Sequence, residues 1–286
     1  MRKREGADCL LPECKEQYIL FPAGLQGGEK MQIYLAAAPS AAQEAAGYCR
    51  ALAHAAYRIG PDSTLLRQSL LLQSKGGLLC VSDREAPFID DPEALCGAVL
   101  RECGRRNYGG ALLDFEEAPR RDRMAFAEKL AQALGGAKRT LFIPERYAVP
   151  GAVVLICTAI SGGSFSQRLE EARNRPGGAG GLALDVQRLR MDFRLPARSG
   201  EGAPLSLEDF RQLLDREQPA VFFSQDLCAR YFTYARDGEA HFVLFDDADT
   251  LRQKLRLGSA MGFSAAFFMW PEIQDIAPQL FNRKLP

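Results

Sequence analysis

Short runs of consecutive apolar residues alternate along the chain with longer stretches in which apolar positions recur every three or four residues. A strand covered on both faces has no polar face to show, whereas a helix lying on a sheet needs only one apolar stripe, so this alternation predicts an α/β fold. The runs read as strands are residues 31–37, 77–82, 139–144, 152–158, 182–186 and 264–269, together with the stretch 108–117. Helices are predicted over 41–58, which is rich in alanine, and over 120–134, 165–173 and 247–261. Another opens at Asp91-Pro92, an acid at the N-cap followed by proline at the first helical position, and runs to residue 105. Residues 65–73 fit either a short strand or a helical turn.

Residues 189–245 break the alternation. Within them Ser206, with Asp209 three residues on, caps a helix, an apolar run covers 220–224, and Asp237-Gly238 marks a hairpin between two alternating segments. Counting 65–73 as a strand gives eight, near residues 32, 69, 79, 112, 142, 155, 184 and 267. Eight such strands with intervening helices close a TIM-type (β/α)8 barrel, whose active site lies at the carboxyl ends of the strands. Asp83, Asp114, Glu116, Glu145, Tyr147, Thr158, Asp185, Met269 and Trp270 all fall at such ends and are the candidate site residues. The expected organisation is a peripheral or disordered extension over 1–30 and a single barrel domain over 31–286, with a small α+β insertion at about 189–245 after strand seven.

The most informative rim is Tyr108-Gly109-Gly110-Ala111-Leu112-Leu113-Asp114-Phe115-Glu116-Glu117. Alternation places Gly110, Leu112, Asp114 and Glu116 on one face and Ala111, Leu113 and Phe115 on the other. Two carboxylates on one face with no base between them raise each other's proton affinity, a cost with little structural purpose that acid/base chemistry uses. The plainer alternative is that the two glutamates open a loop and Asp114 caps it.

Composition narrows the partners. The chain has 286 residues, 47% of them apolar, enough to bury a large core, and an even balance of 36 basic and 36 acidic residues. No electrostatic footprint for nucleic acid or an anionic membrane follows from that balance. No window reaches the roughly eighteen apolar residues of a membrane span, and the first thirty residues lack an apolar run of secretory length, so a cytoplasmic location is expected. The eight cysteines are scattered, mostly among apolar neighbours, and read as buried thiols of a reducing compartment. Neither their spacing nor the two histidines suggests a metal site, and no cofactor is expected. The glycine-rich run 177–181 precedes a strand instead of opening a helix, which argues against a phosphate cradle.

Two segments resemble glycoside hydrolase family 18, the chitinase and peptidoglycan-hydrolase group. Residues 109–116 resemble the fourth-strand signature Asp-Gly-hydrophobic-Asp-hydrophobic-Asp-aromatic-Glu, and residues 240–255, with Phe245-Asp246-Asp247-Ala248 and Lys254, are similar to the stretch before that family's last helix. Residues 262–269 resemble its eighth strand, and the insertion sits where these enzymes carry a small α+β element.

The resemblance implies Glu116 as general acid and Asp114 as the residue that orients the substrate's N-acetyl group. The substrate class it implies is a β-linked N-acetylglucosamine glycan, chitin-like or a peptidoglycan fragment, and the chemistry is substrate-assisted retaining hydrolysis. The signature is degenerate: Gly109 and Leu112 stand where the family has acids, Thr158 and Ala159 where the sixth strand carries Tyr-Asp, and Met269 at the sugar-floor tryptophan, with Trp270 one residue late. A second reading is therefore a catalytically inactive carbohydrate-binding or protein-interaction barrel. Arg188, with Arg190 and Asp192, is a candidate for gripping a ligand carboxylate such as that of muramic acid, or else a solvated charged loop. A cytoplasmic protein of this kind would meet a recycled fragment, or be packaged with spores or released by a non-secretory route.

Overall fold

The structure is a computed structural model that describes residues 31–68, 76–175, 181–196 and 202–281. The predicted extension 1–30, residues 69–73 of the ambiguous segment and most of the run 177–181 lie outside the described residues. In chain order the elements are β1 (Gln32–Ala37), α1 (Ala42–Ala46), β2 (Leu52–Ile59), β3 (Leu65–Arg67), β4 (Leu78–Ser82), α2 (Pro92–Arg106), β5 (Gly110–Asp114), α3 (Arg121–Gly136), β6 (Thr140–Pro144), β7 (Val153–Cys157), α4 (Phe165–Asn174) and β8 (Leu182–Val186). There follow β9 (Arg190–Arg194), β10 (Ala203–Pro204), α5 (Leu207–Glu217), β11 (Phe222–Ser224), β12 (Ala229–Arg236), β13 (Glu239–Phe245), α6 (Ala248–Ala260), β14 (Ala265–Met269), α7 (Trp270–Ile273) and α8 (Ala277–Leu280).

Eight parallel strands close a ring in the order β1, β2, β4, β5, β6, β7, β8, β14 and back to β1. This is the TIM-type barrel, and its second strand corrects the sequence reading. Residues 52–59 form β2, where a helix over 41–58 was expected, and 65–67 form only a short antiparallel appendage on β2. Alanine favours helix, but that preference is worth a fraction of a kcal/mol per residue and yields to tertiary packing. The packing demand is visible inside the barrel, where Tyr34 stacks on Phe267 at 4.9 Å and Phe267 meets Phe142 edge-on at 4.8 Å. Three rings from β1, β6 and β14 leave room only for small neighbours, and Ala36, Ala53, Ala183 and Ala265 supply them. The alanines of β2 serve a crowded interior, as the alternating layers of such barrels require.

Helix starts follow local chemistry. Asp91 accepts the Ala94 amide at 2.9 Å, Ser206 the Asp209 amide at 3.0 Å, and Asp247 the Thr250 amide at 2.9 Å. Between β6 and β7 the connection holds a single 3-10 turn, Glu145–Tyr147, and no α-helix.

Between β8 and α6 lies a separate antiparallel sheet in the order β10, β9, β13, β12, β11. One face carries Phe232, Val243 and Phe245 under α5, while the other carries Phe193, Ala229 and Leu244. Asp192, Tyr234 and His241, which cluster on this sheet, bond one another: Tyr234 donates to Asp192 at 2.7 Å, and the His241 ring nitrogen lies 3.1 Å from it. The sheet is tied to the barrel by a fully buried ion pair, Lys254 Nζ to Asp246 at 2.8 Å. Asp246 also accepts the Leu189 amide at 3.0 Å and the Thr250 hydroxyl at 2.8 Å. Among the described residues no helix is long and apolar enough to cross a membrane.

Candidate active site

Parity decides which rim residues can meet a ligand. Leu112 packs inside the barrel, so Asp114, two residues on in β5, also faces in, directly beside Ser82 of β4. The chain then leaves the strand, and the loop that carries Glu116 is held from three sides. Asp83 accepts the Glu116 amide at 2.9 Å, Arg146 donates to the Phe115 carbonyl at 2.9 Å, and the Tyr147 hydroxyl donates to the Glu117 carbonyl at 3.1 Å. Phe115 is buried edge-on against Tyr147 at 5.2 Å. The backbone of Glu116 is thus pinned while its side chain stays exposed.

Glu116 and Asp114 line one cavity of about 500 Å³ at the carboxyl ends of the strands. Its floor is apolar, from Leu112, Leu155 and Phe267, and its walls include Glu145, Cys157, Asp185, Met269 and Glu272. Asp114 has no hydrogen-bond partner among the described residues. Burial pushes its carboxyl up to about 6, and the negative charges of Glu116 and Asp83 add to the effect. Asp185 is also at about 6, raised by burial against the opposing Gln187 amide, with Glu272 and Asp114 contributing repulsion. Burial likewise raises Glu272. Asp114 and Asp185 sit in one cavity with no basic side chain bonded to either among the described residues, the arrangement in which protonation states are poised near neutrality.

Of the residues singled out in the sequence, the structure brings Asp114, Glu116, Glu145, Asp185 and Met269 together around this cavity. Glu145 arrives already paired, with Arg168 at 3.1 Å and with Arg175. Its burial would raise its carboxyl, but the two guanidiniums outweigh that and hold it below the usual range.

Five others lie elsewhere. Asp83 and Thr158 each fall one residue past an inward position, which turns them outward, and both are fully buried. Tyr147 is buried behind the Glu116 loop it supports. Trp270 starts α7 after β14 has ended and packs on Tyr48 at 5.3 Å, outside the cavity. Arg188 is committed to the protein, donating to Asp275 at 2.6 Å, to the Glu272 carbonyl at 3.1 Å and to the Asp246 carbonyl at 3.2 Å. It braces the barrel against its last helices, and the carboxylate-gripping expectation for it is withdrawn. Glu116 is not set among the apolar floor residues, since its side chain is exposed at the mouth.

Sequence reasoning passed over Cys157, Gln187 and Glu272, which line the same cavity. Strict alternation from Val153 and Leu155 would have found Cys157, whereas Glu272 arrives on a short terminal helix that no strand pattern announces.

No protein-family model and no curated protein sequence matches the chain. Solved structures do. A chitinase from Chromobacterium violaceum aligns over 90% of this chain and 100% of its own at 17% identity with a TM-score of 0.63. The spore cortex-lytic enzyme SleL of Bacillus megaterium aligns over 90% of this chain and 74% of its own at 15% identity and 0.59. A class V chitinase from Nicotiana tobaccum aligns over 89% and 99% at 10% identity and 0.65, and a mutant of it is known in complex with NAG4. In fold, the protein shares the barrel of the chitinases and spore cortex-lytic enzymes.

Proposed function

We propose that this barrel acts on a glycan containing β-linked N-acetylglucosamine and cleaves it with retention through the substrate's own acetamido group. The observation that carries the reading is a pinned loop presenting Glu116 into the same cavity as the inward, half-buried Asp114, which has no hydrogen-bond partner among the described residues. In the first step the acetamido carbonyl oxygen attacks C1 of the sugar, the bond from C1 to the leaving oxygen breaks, and the Glu116 carboxyl passes its proton to that oxygen. Ionised Asp114 accepts the acetamido N–H and stabilises the positive charge that develops on the cyclised group. In the second step water attacks C1, returns a proton to Glu116 and regenerates the acetamide. Leu112, Leu155 and Phe267 supply the apolar floor under the ring. The ligand of the tobacco chitinase variant, NAG4, fits this substrate class.

A second reading, binding without cleavage, is favoured by a specific feature: β7 ends in Cys157 at the cavity wall, with no tyrosine or carboxylate there to help Asp114 hold the amide. The two readings separate on one assay. Release of the chromophore from a chromogenic N-acetylglucosamine oligomer is expected from the wild type and not from Glu116→Gln. Background release from both, together with measurable affinity for the unmodified oligomer, would leave binding alone.

A further inference from the structure

A second, smaller cavity of about 220 Å³ opens beside the first, and Asp114 lines both. It exists because of an irregularity in β2. Ala53 and His54 pair with Leu78 and Leu79 of β4, but the next paired residues are Tyr57 with Val81 and Arg58 with Ser82. Two residues, Ala55 and Ala56, therefore stand opposite the single Cys80, which is a bulge. Its effect is to shift parity. Ala53 and Ala55 face the interior, and unbroken alternation would continue with Tyr57 and turn Arg58 outward. Instead Tyr57 is buried in the outer core, and Arg58 stands on the inward face, in register with Ser82 and, one strand further, with Asp114. Arg58 and Asp114 are two strands apart, about 10 Å at their Cα atoms.

Around this smaller cavity the polar groups are under-used. The guanidiniums of Arg58 and Arg84 are exposed and have no partner among the described residues. The Ser82 hydroxyl accepts the Arg84 amide at 3.2 Å, which leaves its own proton free to donate. Four arginines near the mouth are committed: Arg146 to the Phe115 carbonyl, Arg168 and Arg175 to Glu145, and Arg188 to Asp275. Glu85 accompanies the two guanidiniums on the outer wall and Asp114 stands on the inner side, so the lining holds two acids and two bases, with neither arginine bonded to either acid.

We propose that the pocket formed by Arg58, Ser82 and Arg84 takes a carboxylate carried by the glycan, about one sugar away from the ring that sits over Asp114. Two guanidiniums and a hydroxyl converging on a small cavity suit a planar anion, which they would hold through charge-assisted hydrogen bonds. The inference rests on the glycan reading of the main cavity and sharpens it, from neutral chitin-like oligomers to acidic glycans. The carboxylate could be the lactyl group of a muramic acid or the acid of a uronate.

The test is calorimetric titration of the full chain carrying Glu116→Gln with three probes: the N-acetylglucosamine tetramer, an N-acetylglucosamine–N-acetylmuramic acid tetrasaccharide and a hyaluronan tetrasaccharide. At least one acidic probe is expected to bind about tenfold or more tighter than the neutral tetramer, the worth of one charge-assisted hydrogen bond, and which one does so identifies the source of the carboxylate. Adding Arg58→Gln removes that margin and leaves the neutral tetramer within about twofold, and adding Arg84→Gln reduces it. No preference for either acid, or a preference that survives both arginine changes, overturns the pocket and leaves the sugar reading standing. Failure of all three probes to bind overturns the sugar reading and the pocket with it.

Discussion

Asp114 and Asp246 are both acids at the edge of one barrel, and their surroundings could hardly differ more. Asp246 is fully buried and fully answered, by Lys254, the Thr250 hydroxyl and the Leu189 amide. Asp114 is partly open to a cavity, feels the negative charges of Glu116 and Asp83, and has no donor among the described residues. A buried acid that is answered fixes a junction, here between the inserted sheet and the ring. One left unanswered makes the fold less stable and keeps a proton poised near neutral pH, which is a cost that only chemistry or ligand binding offsets. The contrast separates a scaffold acid from a candidate site acid at the same rim of the barrel.

The contrast is sharpest in activity. Glu116→Gln keeps the pinned loop but removes the transferable proton, and sugar release is expected to fall by about 10²–10⁴-fold, read from initial rates on the chromogenic oligomer. Equal rates would show that the site does no acid chemistry. Next comes Lys254→Met, which strands Asp246 without its counter-charge. A loss of about 3–5 kcal/mol is expected in denaturant unfolding, and a neutral result would mean that the junction tolerates an unpaired acid as the rim does.

Asp114→Asn and Asp185→Asn go the other way. Both carboxyls titrate at about 6 in the folded chain. With an unfolded value near 3.9, the folded state holds more protons between these limits, so stability falls as pH rises from about 4 to about 6. Each asparagine variant should therefore match the wild type near pH 4 and exceed it by on the order of 2 kcal/mol at pH 7.5. The same titration predicts a rate that declines below about pH 6 as Asp114 gains its proton. The smallest effect is expected at Trp270→Phe: a modest stability loss of about 1 kcal/mol and glycan affinity unchanged within about twofold, because the ring lies outside the cavity.

Most of the barrel was readable because its strands announce themselves. Buried parallel strands such as residues 152–158 and 182–186 are continuous apolar runs, and their observed limits differ from the expectation by a residue or less at each end. The count of eight was reached with one wrong member, since β2 carries three alanines whose local preference is helical and whose reason for being small is the ring cluster of Tyr34, Phe142 and Phe267 inside the barrel. Local sequence cannot display a constraint imposed by residues from other strands. At the site, period-two reasoning placed Asp114 inward and Trp270 one residue late, but it was not carried through at Asp83 and Thr158, each a single residue past the inward position of its strand. The arginine at 58 was invisible to such reasoning because the bulge that turns it inward leaves no mark in an alanine-rich run.

That bulge makes the rim of the barrel tolerant of length at one point. Deleting one codon at position 55 or 56 would leave a single residue opposite Cys80, with Tyr57 still across from Val81 and Arg58 still across from Ser82, so the arginine would keep its place at the mouth. Among descendants of a common barrel, an alanine gained or lost in this strand is thus absorbed where it occurs. Alignments that penalise such a gap would overstate what it does to the protein.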